Sequence, residues 1–499
     1  MNILLITSDQ HHWAALGGMN PEVRTPNLDR LAGRGVTFTR AYTVNPTCTP
    51  TRASIITGKY PSQHGAWSLG TKLPESEPTL GGYLGKAGYR TALIGKAHFQ
   101  QLLDHPDYPS IESNPHQQNL DWWRRFTGPF YGFDYVQLAR NHADEYHVGQ
   151  HYAAWMEEKG FADWRRCFQK PAGTAERQQG SWNLPEEFHY DAWIAEKTAE
   201  KLRDYKRNNE RFFLWASFPD PHPPYLVPEP WASMYDPRTL TVPELVPGEH
   251  DANPPHFGLT QQSQPDYSAW REKDGNGMHG FHCHVRSREG RAKDLAIYYG
   301  MISMMDHYIG KILDALEAEG LAGETAVVFT TDHGHFLGQH GLTAKGAFLY
   351  EDLVKVPFVV SLPGAPGAGG RSEALQSLVD LAPTFLGLAG VEIPRTMTGV
   401  DQGAVWRGEK ERAREHVIVE NRHQPTTIHQ RSYIDERYKI TVYYNRPYGE
   451  LFDLKEDPGE LRNLWAEPFA QSLKSELLLK YIHAELGKEP IWMPRVCSA

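Results

Sequence analysis

The sequence predicts an α/β protein: a large mixed, mostly parallel sheet flanked by helices, followed by a small C-terminal antiparallel sheet plus helix. Three observations carry that prediction. Continuous apolar runs rich in β-branched residues recur from Ile3 to Leu362, the pattern of strands buried on both faces. Several are followed by a polar cluster and then a helical pattern, the order of a doubly covered sheet. After about Gly408 the runs become shorter and alternating, as in an antiparallel sheet with one wet face.

Ile3 to Thr7 is the first expected strand, and a helix over Asn27 to Gly33 follows it. Arg90 to Ile94, Phe212 to Ser217, Ala326 to Thr330 and Pro357 to Leu362 are the next strands. The clearest helix covers Ala292 to Glu319, where Leu295, Tyr299, Ile302, Met305, Ile309, Ile312 and Leu316 share one face and Gly320 is placed to end it. Two stretches interrupt this order: Gln101 to Glu187, rich in aromatics and His, and Leu226 to Arg291, rich in Pro and His. Both are too long for simple connections and are expected to be lids or pocket walls. Beyond Gly408, strands at His416 to Glu420, Thr427 to Ile434 and Tyr438 to Tyr444 precede an amphipathic helix from Pro468 to Leu486, with Gly487 as its stop. This divides the chain into an α/β body at 1–408 and a C-terminal subdomain at 409–499.

A chain of 499 residues with 40% hydrophobic content buries a large core. The formal net charge of −10 recommends neither nucleic acid nor an anionic membrane as partner. An anionic substrate must therefore be drawn by a local cluster of cations. The cysteines, Cys48, Cys167, Cys283 and Cys497, are irregularly spaced with no CxxC pair. Neither a disulfide framework nor a structural zinc site is indicated. Cys167 and Cys497 are expected to be buried or inert thiols. The opening apolar run reads as a strand and not a signal peptide, and no stretch is long enough to span a bilayer. A cytoplasmic protein without membrane contact is the expectation.

The chemistry concentrates in Cys48-Thr-Pro50-Thr51-Arg52, continuing to Thr57-Gly58. Pro50 suits the first turn of a helix, which sets Cys48 at its positive end, where an anion meets free backbone N–H groups with Arg52 one turn away. This segment resembles the signature of the type I, formylglycine-dependent sulfatases of the alkaline phosphatase superfamily. The resemblance continues through Gly88-Tyr-Arg-Thr91-Ala-Leu-Ile-Gly95-Lys96-Ala-His98, Pro221-His222, Asp332-His333-Gly334, Gly338-Gln-His340-Gly, Lys345 and the closing Glu450-Leu-Phe-Asp-Leu-Lys-Glu-Asp-Pro-Gly-Glu-Leu-Arg-Asn. It implies an alkaline phosphatase-like fold and a Cys48 oxidised to formylglycine by a dedicated formylglycine-generating enzyme.

Strand positions agree. Asp9 follows the first strand, Lys96 and His98 the second, His222 the third, and Asp332 and His333 the fourth, so all fall where the carboxyl ends of parallel strands make a crevice. Asp9, Gln10, Asp332 and His333, with an oxygen at position 48, make a metal site. Oxygen-rich ligation favours Ca²⁺ first, then Mg²⁺. His333 and Gln10, where many family members carry Asn and Asp, also admit Mn²⁺.

The resemblance further implies a mechanism. A hydroxyl of the hydrated aldehyde attacks sulfur, Arg52, Lys96 and Lys345 hold the sulfate, and His222 or Lys345 protonates the leaving group. His98 then acts as the base that lets sulfate depart. His340 is expected in a supporting position. The group His279, His282, Cys283 and His284 matches no standard zinc spacing and reads, with Arg286 and Arg288, as a loop touching an anionic substrate. Trp122, Trp123, Phe130 and Tyr131 are open to either sugar stacking or packing. The expected reaction is hydrolysis of a sulfate ester on a carbohydrate or related small molecule. The alternative is a phosphonate monoester or phosphodiester hydrolase of the same superfamily, which usually carries other residues in place of Lys96 and His98.

Overall fold

The computed structural model describes residues 1–140, 147–169, 179–271, 279–365, 367–424 and 427–497. Parts of both long insertions, 141–146, 170–178 and 272–278, lie outside the described residues. The body is built on an eight-stranded sheet of β1 (Asn2–Ser8), β2 (Val36–Phe38), β3 (Arg90–Gly95), β4 (Tyr135–Leu138), β5 (Phe212–Ser217), β6 (Thr325–Thr331), β7 (Phe358–Ser361) and β8 (Gly370–Ser372). Their spatial order is β8-β2-β7-β6-β1-β5-β3-β4. From β6 to β4 all neighbours are parallel. β7, expected from Pro357 to Leu362, runs antiparallel to both β6 and β2, and β8 is parallel to β2. β2, β4 and β8 were not anticipated, because a strand of three or four residues is too short to show a period.

The unbroken apolar runs have a simple cause. Ile3 and Leu5 enter the core on one face of the sheet, Leu4 and Ile6 the core on the other. Phe213 and Trp215 of β5 join the first face, Phe212, Leu214 and Ala216 the second. With no wet face there is nothing to alternate against. α1 (Pro26–Gly33), α3 (Tyr190–Asn208) and α4 (Arg288–Ala318) cover the face of Leu4 and Ile6, while α2 (Cys48–Thr57) lies on the other. All seven stripe residues expected in α4 are buried. The helix starts four residues before the expected Ala292, because the Ser287 hydroxyl accepts from Gly290 N at 3.0 Å and caps it.

The C-terminal region forms an antiparallel sheet of β9 (Val417–Gln424), β10 (Ile428–Ile434), β11 (Tyr438–Tyr443) and β12 (Gly449–Asp453), paired in that order. The last of these was not anticipated as a strand. α5 (Gln471–Gly487) is preceded by a 3₁₀ turn at Pro468–Ala470, and Gly487 is its last residue, not its stop. Only Leu477 and Ala484 of α5 are buried, while Leu479, Ile482 and Leu486 are exposed, so the expected amphipathic stripe is incomplete. Ile418, Tyr433, Ile440 and Leu451 share one core with Val44, Tyr60 and Val379 of the body. Among the described residues no helix is long and apolar enough to cross a membrane. All four cysteines are free; Cys167 is buried and Cys497 exposed.

One glycine matters to the site. Gly95 ends β3 at φ +106, and a Cβ there would lie 1.9 Å from Ser217 O. The strand can therefore turn tightly against β5, with Lys96 N donating to Ser217 O at 2.9 Å, and deliver Lys96 and His98 to the sheet edge.

Candidate active site

The carboxyl ends of β6, β1, β5 and β3 are adjacent, and they bring the expected residues together. Asp9 Oδ1 lies 3.8 Å from Cys48 Sγ, and His333 Nε2 lies 3.3 Å from the same sulfur. The ligand atoms of Asp9, Cys48, Asp332 and His333 all fall within 4.8 Å of one another, and all four side chains are buried. Cys48 is the first residue of α2, whose ten residues are all buried. Lys345 Nζ reaches Cys48 Sγ at 3.3 Å, His222 Nε2 at 3.2 Å and His333 Nε2 at 3.4 Å.

The donor set suits a divalent cation. His333 Nδ1 donates to its neighbour Gly334 O at 2.9 Å, which leaves the Nε2 lone pair facing the sulfur. Burial lowers the His333 pKa to about 4, so the ring is neutral, as a ligand must be. Gln10 sits at φ +59, and its amide donates to His335 Nδ1 at 2.7 Å. Its Oε1 is left buried without a partner. Burial works to raise the Asp9 carboxyl, but Lys96, His222, Arg52 and Lys345 together hold it well below the usual carboxylate range. Burial and Asp9 push the Cys48 thiol up, so an unmodified cysteine there is a protonated and poor nucleophile.

Arg52 and Lys96 lie under this quartet. Arg52 Nε donates to Asp332 Oδ2 at 2.8 Å, Nη2 to Asp9 Oδ2 at 3.1 Å, and Nη1 to Lys96 O and Ser217 Oγ at 2.9 and 2.8 Å. Lys96 Nζ is ion-paired with Asp9 Oδ2. Nε and Nη2 of Arg52 thus align the two carboxylates, while Nη1 fastens the side chain to the ends of β3 and β5. His98 sits at φ +57, buried, with Nδ1 unpartnered. Its backbone N–H and those of Phe99 and Gln100 all donate to the Glu112 carboxylate, at 2.7, 2.8 and 2.9 Å. Burial first, then Arg140, Lys96 and Arg52, hold the His98 ring well below the usual histidine range.

Above the quartet opens a cavity of about 1070 Å³, into which Cys48, His98, His222 and Lys345 all face. Both insertions contribute walls, through residues such as Gln101, His105 and Tyr108 of the first and His279 of the second. Of the aromatics open to sugar stacking, Trp123, Phe130 and Tyr131 are buried in the core and Trp122 packs against it. Trp67 takes the place in the wall. In the histidine loop, His284 donates from Nε2 to Gly280 O at 2.7 Å and accepts from Thr343 N at 2.9 Å, so both of its ring nitrogens are spent on backbone. Arg286 and Arg288 pair with Asp294 and Glu244, away from the cavity.

His340 stands apart from the quartet. Its ring stacks on Tyr350 with centroids 3.6 Å apart, and it pairs with Glu249 at 3.3 Å and Asp352 at 3.5 Å. Burial disfavours the imidazolium, but Asp352 and Glu249 outweigh it and raise the pKa to about 9. A folded pKa above the unfolded value of 6.5 means the stabilisation is complete below pH 6.5 and is lost as pH rises through 9. The stability gap between wild type and H340Q is expected to shrink by on the order of 3 kcal/mol between pH 6 and pH 9.5, read from urea unfolding at each pH. A gap that stays constant would mean that folding leaves the pKa of the ring unshifted.

Side chains that sequence reasoning missed are His335, Ser217 and Arg140. His335 is signalled only by its place two residues after His333 in the Asp-His-Gly-His run. Arg140, just beyond β4, lines the cavity.

A mixed sheet of this topology, with paired carboxylates, cations and a helix-terminal cysteine at its strand ends, defines an enzyme of the alkaline phosphatase superfamily. Residues 1–391 match the model of the sulfatase family, and residues 338–485 match one described as N-sulphoglucosamine sulphohydrolase, C-terminal. The chain belongs to the sulfatase family and is a sulfuric ester hydrolase. It is 27% identical to the uncharacterized sulfatase YidJ of Escherichia coli strain K12, over 93% of this chain and 82% of that one. It is 26% identical to the N-acetylglucosamine-6-O-sulfatase of Bacteroides thetaiotaomicron, over 96% of this chain and 85% of that one. The fold is also that of the phosphonate monoester hydrolase of Silicibacter pomeroyi, with a TM-score of 0.79 and 23% identity over 98% of this chain and 96% of that one.

Proposed function

We propose that this sulfatase releases sulfate from a sulfated carbohydrate, with a formylglycine made from Cys48 by a formylglycine-generating enzyme and one divalent cation held by Asp9, Gln10, Asp332, His333 and the residue at position 48. The observation that carries it is the position of Cys48 Sγ, 3.3 Å from both His333 Nε2 and Lys345 Nζ on the floor of the cavity. Two carboxylates, an amide oxygen and one imidazole favour Ca²⁺, with Mg²⁺ and Mn²⁺ as competitors. When bound, the cation supplies Lewis-acid polarisation of an ester oxygen and lowers the pKa of the attacking hydroxyl, which the oxidised residue provides.

The chain's own residues do the rest. Arg52 and Lys96 align Asp9 and Asp332, and so orient the ligands more than they touch the sulfate. Lys345 and His222, 3.2 Å apart, hold a sulfate oxygen and move a proton to the leaving oxygen. His98, neutral and with Nδ1 unpartnered, accepts the proton that lets sulfate depart. The walls exclude water from the ester. The carbohydrate leaving group is supported by the N-acetylglucosamine-6-O-sulfatase likeness and by the size of the cavity.

Matched initial rates test the choice of ester. On 4-nitrophenyl sulfate and the 4-nitrophenyl monoester of phenylphosphonate, kcat/KM is expected to favour the sulfate by about tenfold or more. A preference for the phosphonate would move the chain to the phosphonate hydrolase reading.

A further inference from the structure

Arg140 helps to keep the His98 ring neutral, but its own donors are left largely uncommitted. It follows β4, the edge strand, three strands along the sheet from β1. Its side chain is fully buried from solvent yet lines the cavity over Cys48. Nη1 reaches Gln100 O at a long 3.4 Å, and the nearest carboxylate, Glu112, is 4.0 Å away. That carboxylate is already taken by three backbone N–H groups. Nε and Nη2 have no hydrogen-bond partner among the described residues.

A buried guanidinium with two idle donors is costly unless something else completes it. Two donors side by side on a planar fork match the oxygens of a carboxylate or sulfate. Among the described residues that line the cavity, Asp104 is the one acidic side chain, and it is exposed. Burial lowers the Arg140 pKa to about 10, opposed first by Glu112, which fits a cation short of compensation. The scissile sulfate is already served by Lys345 and His222, neither of which contacts Arg140 in the structure.

We infer that Arg140 binds a second anionic group on the substrate, a carboxylate or a further sulfate, so that the preferred substrate carries at least two negative charges. This rests on the reading of the cavity as a sulfate ester site. A net charge of −10 on the chain makes a dedicated cation the more necessary for such a substrate.

The test uses the matured, metal-loaded enzyme and matched pairs. One arm pairs glucuronate 2- and 3-sulfates with the glucose sulfates of the same position. The other pairs glucose 3,6-disulfate with the two glucose monosulfates. In at least one arm kcat/KM is expected to favour the more anionic member by about 30- to 100-fold, the worth of a charge-assisted bidentate contact. In R140Q that ratio should collapse toward unity, mainly through KM, and R140K should keep part of it. The arm that responds identifies the second group. Thermal unfolding midpoints of R140Q and R140K close to wild type keep a folding defect from imitating the result.

If wild type shows no preference in either arm, or if R140Q retains the preference, the assignment of Arg140 is wrong while the sulfatase reading stands. If R140Q lowers both members of every pair equally, Arg140 acts on the scissile group or on structure, and the assignment is again wrong. If wild type cleaves no sulfate at all, both readings fall together.

Discussion

Cys48→Ala is expected to lose turnover by three orders of magnitude or more, on the scale of removing a covalent nucleophile, while the fold survives. The substitution keeps Cβ and deletes one small terminal group from a buried helix start on the cavity floor. The stability loss should therefore be about 1 kcal/mol, read from thermal unfolding. Active wild type should weigh about 18 Da less than the encoded chain where the thiol carbon has become an aldehyde. Activity above a trace in C48A would exclude position 48 from the chemistry, and full activity in a preparation whose position 48, once denatured, is still fully alkylated by iodoacetamide would exclude the modification.

The second large effect belongs to Lys345 and His222. Lys345→Ala and His222→Ala are each expected to lower kcat/KM by about 10²- to 10⁴-fold, through a lost charge on the sulfate or a lost proton at the leaving oxygen. Their contact at 3.2 Å makes the two losses overlap. The double variant should fall well short of the product of the single effects. A leaving group of low pKa needs no proton, so 4-nitrophenyl sulfate should be less sensitive to H222A than an alkyl sulfate. Strictly multiplicative losses would mean that the two side chains act on separate steps.

Much of the site was legible because strand ends are legible. Asp9, Lys96, His222 and Asp332 each follow a continuous apolar run, and parallel strands deliver such positions to one edge. The details that were not legible depend on third parties. Arg52 reads from the sequence as a sulfate clamp, because nothing in its own neighbourhood reveals that Asp332 and Asp9 accept from its Nε and Nη2. Arg140 was hidden because β4, which places it, has four residues inside a segment without a period. The start of α4 was missed for a local reason: Ser287 is an ordinary cap, but the residues after it are polar, and the apolar stripe begins only a turn later. α5 misled in the opposite sense, since its apolar residues outnumber the two it buries.

Glu112 lies inside the first insertion, yet its carboxylate gathers the amide protons of His98, Phe99 and Gln100. The segment that shapes the entrance is thus also a splint for the residue that faces the bound ester. A foreign loop grafted across this stretch would strand three amides and release His98 from its left-handed backbone unless it returned an acid to the same spot. The second insertion has a clasp of its own, on either side of Lys345: His284 accepts from Thr343 N at 2.9 Å and His256 donates to Ala347 O at 3.0 Å. Exchange of leaving-group preference by loop transplantation should therefore succeed only where the graft returns the acid on one side of the opening and the two imidazoles on the other.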